Sequence, residues 1–508
     1  MRFGRAFGVS LKGLEGQIIG VEVHTSSGLP AFRIVGLPDT SLNEARDRVR
    51  AAIESCQLPF PRRRVTVGLI PADVPKTGAL FDVAIAVGVL RAEGALPPGG
   101  DEVFIGELGL DGRIHPIRGV LPIVRAASKN GYCTVFVPEG NKAEAALIKG
   151  IHVVGVSHLA QVVNHLGGQA PIPAMAELQP GSASAEQDHA VPDFADLVGQ
   201  HAARVAMEVA AAGGHHIFLS GPPGVGKTML ANRLPGILPH LTREEAITVT
   251  SVHSIAGTLN GHCLIHHPPF EAPHHSATMT ALIGGGSGIA LPGAVSRAHL
   301  GVLFLDESPE FSPRVLDALR QPLEHGKVSI HRAYGVATYP SRFQLVLAAN
   351  PCPCGKGSGK GLQCECSPQR RRRYRGRLSG PLMDRIDIRV HVPPVRGKVS
   401  ESGETSTTIR KRVMTARNRA RKRLKDTPWR VNGHVPGPWY RKYTEHHAPA
   451  IMNILSQQLT QGRMSLRGVD RVLRLAWTVA DLHQHNQPTH HDLSQAITLR
   501  VGGDDEGW

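Results

Sequence analysis

The chain has 508 residues, too many for one hydrophobic core, so about three folded units of ~150 residues each are expected. Hydrophobic residues make up 41% and charged residues 19%, which excludes wholesale disorder. A formal charge of +15 makes nucleic acid the first partner class to consider, although a solvated basic surface gives the same sum.

The opening MRFGRAFGVSLKG has no signal-like apolar run. The longest apolar stretch, residues 83–90, is well short of the ~20 residues of a bilayer span, so a cytoplasmic protein without membrane contact is expected. Up to residue 168, β-like runs at 65–70, 103–105 and 134–137 alternate with helical stretches at 42–54 and 120–130, so 1–168 reads as one α/β domain. Residues 169–192 include QAPIPAMAELQPGSASAEQDH, without apolar periodicity, and read as an exposed linker. From 193 to 395 a strand and helix rhythm returns, with nearly continuous apolar runs at 217–220, 302–305 and 344–348. These predict a parallel sheet covered by helices. A polar break at 396–408 precedes helical patterns at 409–425 and 465–482, so 396–508 reads as a helical unit.

In HHIFLSGPPGVGKTMLANRL an apolar run enters the loop Gly221, Pro222, Pro223, Gly224, Val225, Gly226, Lys227 and Thr228, followed by a helical pattern. This order of strand, loop and helix is that of a P-loop, in which backbone N–H groups cradle phosphates, Lys227 neutralises the β and γ phosphates and Thr228 meets Mg²⁺. ATP and Mg²⁺ are the cofactors it calls for. GVLFLDE ends in Asp306 and Glu307; alone this is a common strand end. Beside a P-loop, Asp306 is suited to hold Mg²⁺ through water and Glu307 to activate the attacking water. FQLVLAAN ends at Asn350, an amide able to bond a water or the γ-phosphate. Arg385, Arg467 and Arg471 stand in GPLMDRID and SLRGVDRVLR; isolated arginines more often serve as surface solubilisers.

Of the seven cysteines, an odd number unlike a secreted disulfide framework, Cys352, Cys354, Cys364 and Cys366 form two CxC pairs in the insertion 352–366. They supply enough ligands for a closed, structural Zn²⁺ site, the alternative being idle reduced thiols. PQRRRRYRGR follows, with Arg370 to Arg373, Arg375 and Arg377 around Tyr374, a composition suited to phosphate contact and base stacking. IRKRVMTARNRARKRLK carries too many basic residues for one amphipathic face, so part of it must face solvent or polyanion.

Five segments in order, IVGLPDTSLNEARDRVRAAI, IPADVPKTGALFDVAIAVGVL, APHHSATMTALIGGG, AHLGVLFLDESPEFSPRVLDALRQPLEHGKVSIHRA and LAANPCPCG, resemble the ComM and YifB family of AAA+ ATPases, which is related to the magnesium chelatase ChlI subunit. The resemblance implies an α/β fold class with three parts: a Lon protease-like N-terminal domain, a central AAA+ P-loop domain with a parallel sheet and helix-2 insert, and a C-terminal helical lid. It puts Asn350 at the sensor 1 position and makes Arg385, Arg467 and Arg471 arginines that reach a γ-phosphate from a neighbouring subunit or the lid, as in a hexameric ring. The insert falls on 252–299, with GGGSG at 284–288 as its hairpin turn, and a second hairpin in HGKVSIHRAYGVATYP brings Lys327, His331 and Arg332 close together. Laid against the Lon serine motif, VPKTGALFDVAIA puts Leu80 at the nucleophile and 121–123 at the lysine, neither able to do that chemistry. The implied function is translocation on single-stranded or branched DNA, with branch migration of joints during integration of transforming DNA. A chelatase motor subunit and an ATP-dependent protease are the rivals.

Overall fold

Residues 2–26 form a long hairpin, in which Arg2–Lys12 pairs antiparallel with Glu15–Ser26, from Arg2 opposite Thr25 to Lys12 opposite Glu15. The computed structural model describes residues 2–36, 40–74, 76, 78–173, 191–259, 263–286, 290–332, 335–357, 364–394 and 403–502. Most of the expected linker, 174–190, lies outside them. The hairpin is the centre of a seven-stranded sheet ordered Ala31–Val35, Arg64–Ile70, Glu15–Ser26, Arg2–Lys12, Glu102–Phe104, Thr134–Pro138 and His152–Val156. Helix Asp82–Glu93 buries nearly every residue against one face, so the apolar run at 83–90 is a core helix. Among the described residues no helix is long and apolar enough to cross a membrane. Helix Val120–Lys129 covers the other face. Leu80 packs on the cluster that also holds Leu121 and Ile123, so the positions aligned with a dyad belong to one apolar cluster.

A second, all-parallel sheet of five strands runs in the order Phe270–Glu271, Val302–Leu305, Gln344–Ala349, Ile217–Ser220 and Ile388–His391. The strands Ile217–Ser220, Val302–Leu305 and Gln344–Ala349 are buried throughout, which explains their continuous apolar sequence. One face shares a single core with helices His201–Gly213, Lys227–Ile237, Ser406–Arg423 and Leu466–Leu482; Val413, Val472 and Trp477 of the C-terminal helices are part of it. The C-terminal helices are thus welded to the sheet by burial.

The expected insert begins later than residue 252, because 252–256 complete helix Arg243–Ala256, which opens on a Thr242–Glu245 capping box and stops at left-handed Gly257. This helix also joins the two α/β units. Its Ile247 enters the cluster of Val120 and Leu121, and Glu244 meets Arg125 at 2.7 Å. Gly284–Gly285 pairs antiparallel with Leu291–Pro292, and a Cβ on Gly284 would lie 2.6 Å from the Leu291 carbonyl oxygen, so only glycine fits. The turn residues 287–289 lie outside the described residues. The second hairpin pairs Lys327–Arg332 with Gly335–Pro340. It does not gather Lys327, His331 and Arg332 into one patch: a four-position advance along the strand separates Lys327 from His331 by ~13 Å. Lys327 is at the base, lining a cleft of about 910 Å³ with Lys12, Arg125 and Arg342, while His331 and Arg332 are exposed at the far end.

Candidate nucleotide site

Three parallel strands deliver their following residues to one edge of the sheet, where ligands of open α/β folds sit. Ile217–Ser220 leads into the P-loop, Val302–Leu305 into Asp306 and Glu307, and Gln344–Ala349 into Asn350. The Gly221 N–H donates to the Ala349 carbonyl at 3.2 Å, and a Cβ on Gly221 would lie 2.4 Å from the Val392 oxygen. Helix Lys227–Ile237 starts directly after Gly226, so its free N–H groups face the loop.

Lys227 donates from Nζ to the carbonyls of Gly221 at 2.7 Å and Pro222 at 2.9 Å, and to Asn350 Oδ1 at 3.0 Å. Burial pushes its pKa down against the pull of Asp306 and Glu307. Thr228 Oγ1 donates to Asp306 Oδ2 at 2.8 Å, and Asp306 Oδ1 accepts the Glu307 N–H at 2.9 Å. The hydroxyl and carboxylate are the hard oxygen donors that Mg²⁺ takes. Glu307 has a left-handed backbone, φ 47°, which turns the chain into Ser308–Glu310 and leaves its carboxylate 3.6 Å from His275 Nδ1. His275 was not singled out from sequence; its only signal is the adjacent pair His274 and His275 in APHHS.

The three arginines stand apart from this set. Arg385 pairs with Glu324 and donates to the Pro381 carbonyl; Arg467 meets Asp384 at 3.0 Å with its side chain 84% exposed. Arg471 is held at 2.7 Å by the buried Asp387, which also accepts from His215 at 2.9 Å. Burial works to raise the Asp387 carboxyl, but Arg471, His215 and Arg474 hold it far below the ordinary range. This ion pair ties the helical unit to the sheet. Burial and the neighbouring Arg320, Arg471 and Arg467 all lower the Arg385 pKa, which marks one basic cluster.

The arginine run forms helix Pro368–Arg375, capped by Ser367. Tyr374 is only 4% exposed, so its ring serves the core and the guanidinium groups around it are the faces left for phosphates and bases. Arg377 donates to Glu310 at 2.7 Å and to the Pro309 carbonyl at 3.0 Å, which docks this helix on the turn after Glu307. Arg370, Arg372 and Arg373 are exposed. In helix Ser406–Arg423, Arg412 meets Glu208 and Glu404, Arg417 bonds the Ala211 carbonyl and Arg423 meets Asp481, while Lys411, Arg421 and Lys422 face solvent. Half of that basic helix is internal mortar. The sulfur atoms of Cys352 and Cys354 are 3.3 Å apart, those of Cys352 and Cys364 3.5 Å and those of Cys354 and Cys364 3.7 Å; with Cys366 all lie within 4.8 Å of one another.

Three family models match this chain: subunit ChlI of Mg-chelatase over residues 21–141, magnesium chelatase subunit ChlI over 193–400 and the ChlI C-terminal model over 403–500. An uncharacterized protein of Mycobacterium tuberculosis is 48% identical over 511 residues, 99% of each chain. The competence protein ComM of Haemophilus influenzae is 39% identical over 496 residues, 96% of each. Lon protease 2 of Bacillus subtilis is 34% identical over 157 residues, 28% of this chain and 27% of its own, a likeness confined to part of each. With two α/β sheets, a P-loop at the edge of the parallel one, a helical C-terminal unit and full-length identity of this degree, the chain belongs to the ComM/YifB family of magnesium chelatase-like AAA+ proteins.

Proposed function

We propose that this protein is an ATP-hydrolysing motor that moves DNA in the cytoplasm, works as a ring of identical subunits, hexameric as its family resemblance implies, and promotes branch migration of DNA joints. The observation that carries the reading is the convergence of Lys227, Thr228, Asp306, Glu307 and Asn350 on one sheet edge, with Thr228 and Asp306 hydrogen-bonded at 2.8 Å. The P-loop N–H groups and Lys227 would bind the β and γ phosphates. Mg²⁺, when bound by Thr228 and Asp306, neutralises phosphate charge. Glu307 then takes a proton from the attacking water, which Asn350 orients. Arg385, the exposed Arg467 and Arg471 are assigned to a γ-phosphate reached from a neighbouring subunit or from the lid. Exposed Arg370, Arg372 and Arg373, the charge of +15 and the likeness to a competence protein support a DNA substrate, single-stranded or branched. Cys352, Cys354, Cys364 and Cys366 are assigned to a structural Zn²⁺.

A branch-migration assay on Holliday-type DNA, comparing the parent with Glu307→Gln, tests the reading. The variant is expected to bind ATP and DNA but to turn over roughly 10²–10⁴-fold more slowly. Equal activity of the two proteins would overturn Glu307 as the base. Failure of the parent to bind branched DNA at moderate salt would favour a chelatase-type motor acting on a partner protein, the second reading, which the three chelatase-model matches support. A protease is disfavoured by Leu80 at the nucleophile position and by the absence of a lysine at 121–123.

A further inference from the structure

The four-cysteine knuckle touches the nucleotide site. Cys352 follows Asn350 by two residues and is fully buried, and Asn350 accepts from the P-loop Lys227 at 3.0 Å. Gly355 has a left-handed backbone, φ 76°, closed by its N–H on the Cys352 carbonyl at 2.9 Å. A Cβ placed on Gly355 would lie 2.9 Å from both Cδ and Cγ of Pro223, so this turn rests directly on the P-loop. At Gly357 a Cβ would lie 3.0 Å from Cys352 Sγ and 3.7 Å from Cys364 Sγ, so the backbone wraps the sulfurs. Zn–S bonds of about 2.3 Å put the sulfurs of a tetrahedral site about 3.8 Å apart. The three measured separations, 3.3 to 3.7 Å, are close to that edge. All four thiols are free, so disulfides do not account for the approach.

We infer that the cysteine knuckle is a metal-dependent clamp on the nucleotide pocket: a thiophilic ion such as Zn²⁺ on the four thiolates holds the turn at Gly355 against Pro223 and fixes Asn350 beside Lys227. The inference rests on the metal reading of the four cysteines. Without the ion, four thiols in so small a volume lose their common anchor, and the turn and Asn350 gain freedom that nucleotide binding must then take away. The clamp acts through backbone position, so these cysteines are positioning residues and do not touch the reacting atoms.

The full chain is the material for the test. Metal content is measured directly, and Co²⁺ exchange is followed through its thiolate charge-transfer absorption. Affinity for a fluorescent ATP analogue is measured for the parent, for Cys352→Ser/Cys364→Ser and for Gly355→Ala, which keeps all four thiols but pushes on Pro223. The parent is expected to hold about one zinc per chain. The double serine variant should lose the ion and bind nucleotide about tenfold more weakly, and Gly355→Ala should keep the ion and still bind several-fold more weakly. Metal removed from the parent with a chelator and restored should carry the affinity down and back. A parent without bound metal and without a thiolate–cobalt band sinks the metal reading and the clamp with it. Metal present, with parent-like nucleotide affinity in both variants, overturns the clamp alone and leaves a purely structural ion.

Discussion

Asp492 shows how much one side chain holds together. It is completely buried at the start of helix His490–Val501, where its oxygens accept from His483 at 2.7 Å, His485 at 2.8 Å and both the N–H and hydroxyl of Thr489 at 2.8 Å. Burial is the largest influence and pushes the carboxyl up, but these hydrogen bonds together outweigh it and lower the pKa from 3.8 to about 2. A depressed carboxyl stabilises the fold above its unfolded pKa and stops doing so as pH falls through the folded one. Asp492→Asn is therefore expected to cost about 2 kcal/mol at pH 5 and above, with the gap to the parent narrowing as pH drops from about 4 toward 2. Urea unfolding of both proteins across that range checks it; a pH-independent gap would contradict the assignment. Residues of the candidate nucleotide site were readable because Lys227, Thr228, Asp306 and Glu307 each sit in a contiguous motif. The burial of Tyr374 and the pairing of Arg471 with Asp387 were not legible, because the groups that surround them come from distant segments.

Two basic helices with similar composition do different work. In Pro368–Arg375 one aromatic anchor, Tyr374, holds the helix down and leaves Arg370, Arg372 and Arg373 outward. Replacing these three by alanine is expected to weaken DNA binding at every sequence and to flatten the dependence of log K on log salt by roughly 2–3, about 0.7–0.9 for each phosphate no longer neutralised. A salt titration of fluorescent DNA binding reads this slope, and an unchanged slope removes the helix from the DNA surface. In Ser406–Arg423 every arginine but Arg421 bonds inward. Arg423, its side chain 8% exposed, pairs with Asp481 at 2% and lies 4.6 Å over the Trp477 ring. Arg423→Ala leaves the buried Asp481 carboxylate with only the more distant Arg419 at 4.0 Å and should cost roughly 3–5 kcal/mol, visible as a lower thermal midpoint. Helical periodicity was plain from sequence in both segments. Which arginines face out was not, because a saturated basic pattern has no apolar stripe to orient it.

At the scale of the molecule, Arg385 and Arg467 are paired with Glu324 and Asp384 and stand apart from Lys227 and Asn350. If those arginines serve a neighbour, Lys227→Ala chains and Arg385→Ala chains, each expected to be down roughly 10³-fold alone, should recover turnover when mixed, because some interfaces then pair an intact P-loop with an intact arginine. Additive residual activity in the mixture would count against a shared site. The amino-acid sequence alone determined the P-loop, the two carboxylates, the parallel character of the central sheet and the family, since each is written in short contiguous runs whose chemistry is local. It did not disclose the long hairpin of Arg2–Lys12 and Glu15–Ser26, whose mixed pattern is half solvent-facing, or helix Arg243–Ala256 serving two cores at once. Only the tertiary structure decided which cations are free and which are mortar, and that the cysteine knuckle leans on the P-loop. Burial and partnership depend on residues brought together from far along the chain, and no local pattern encodes them.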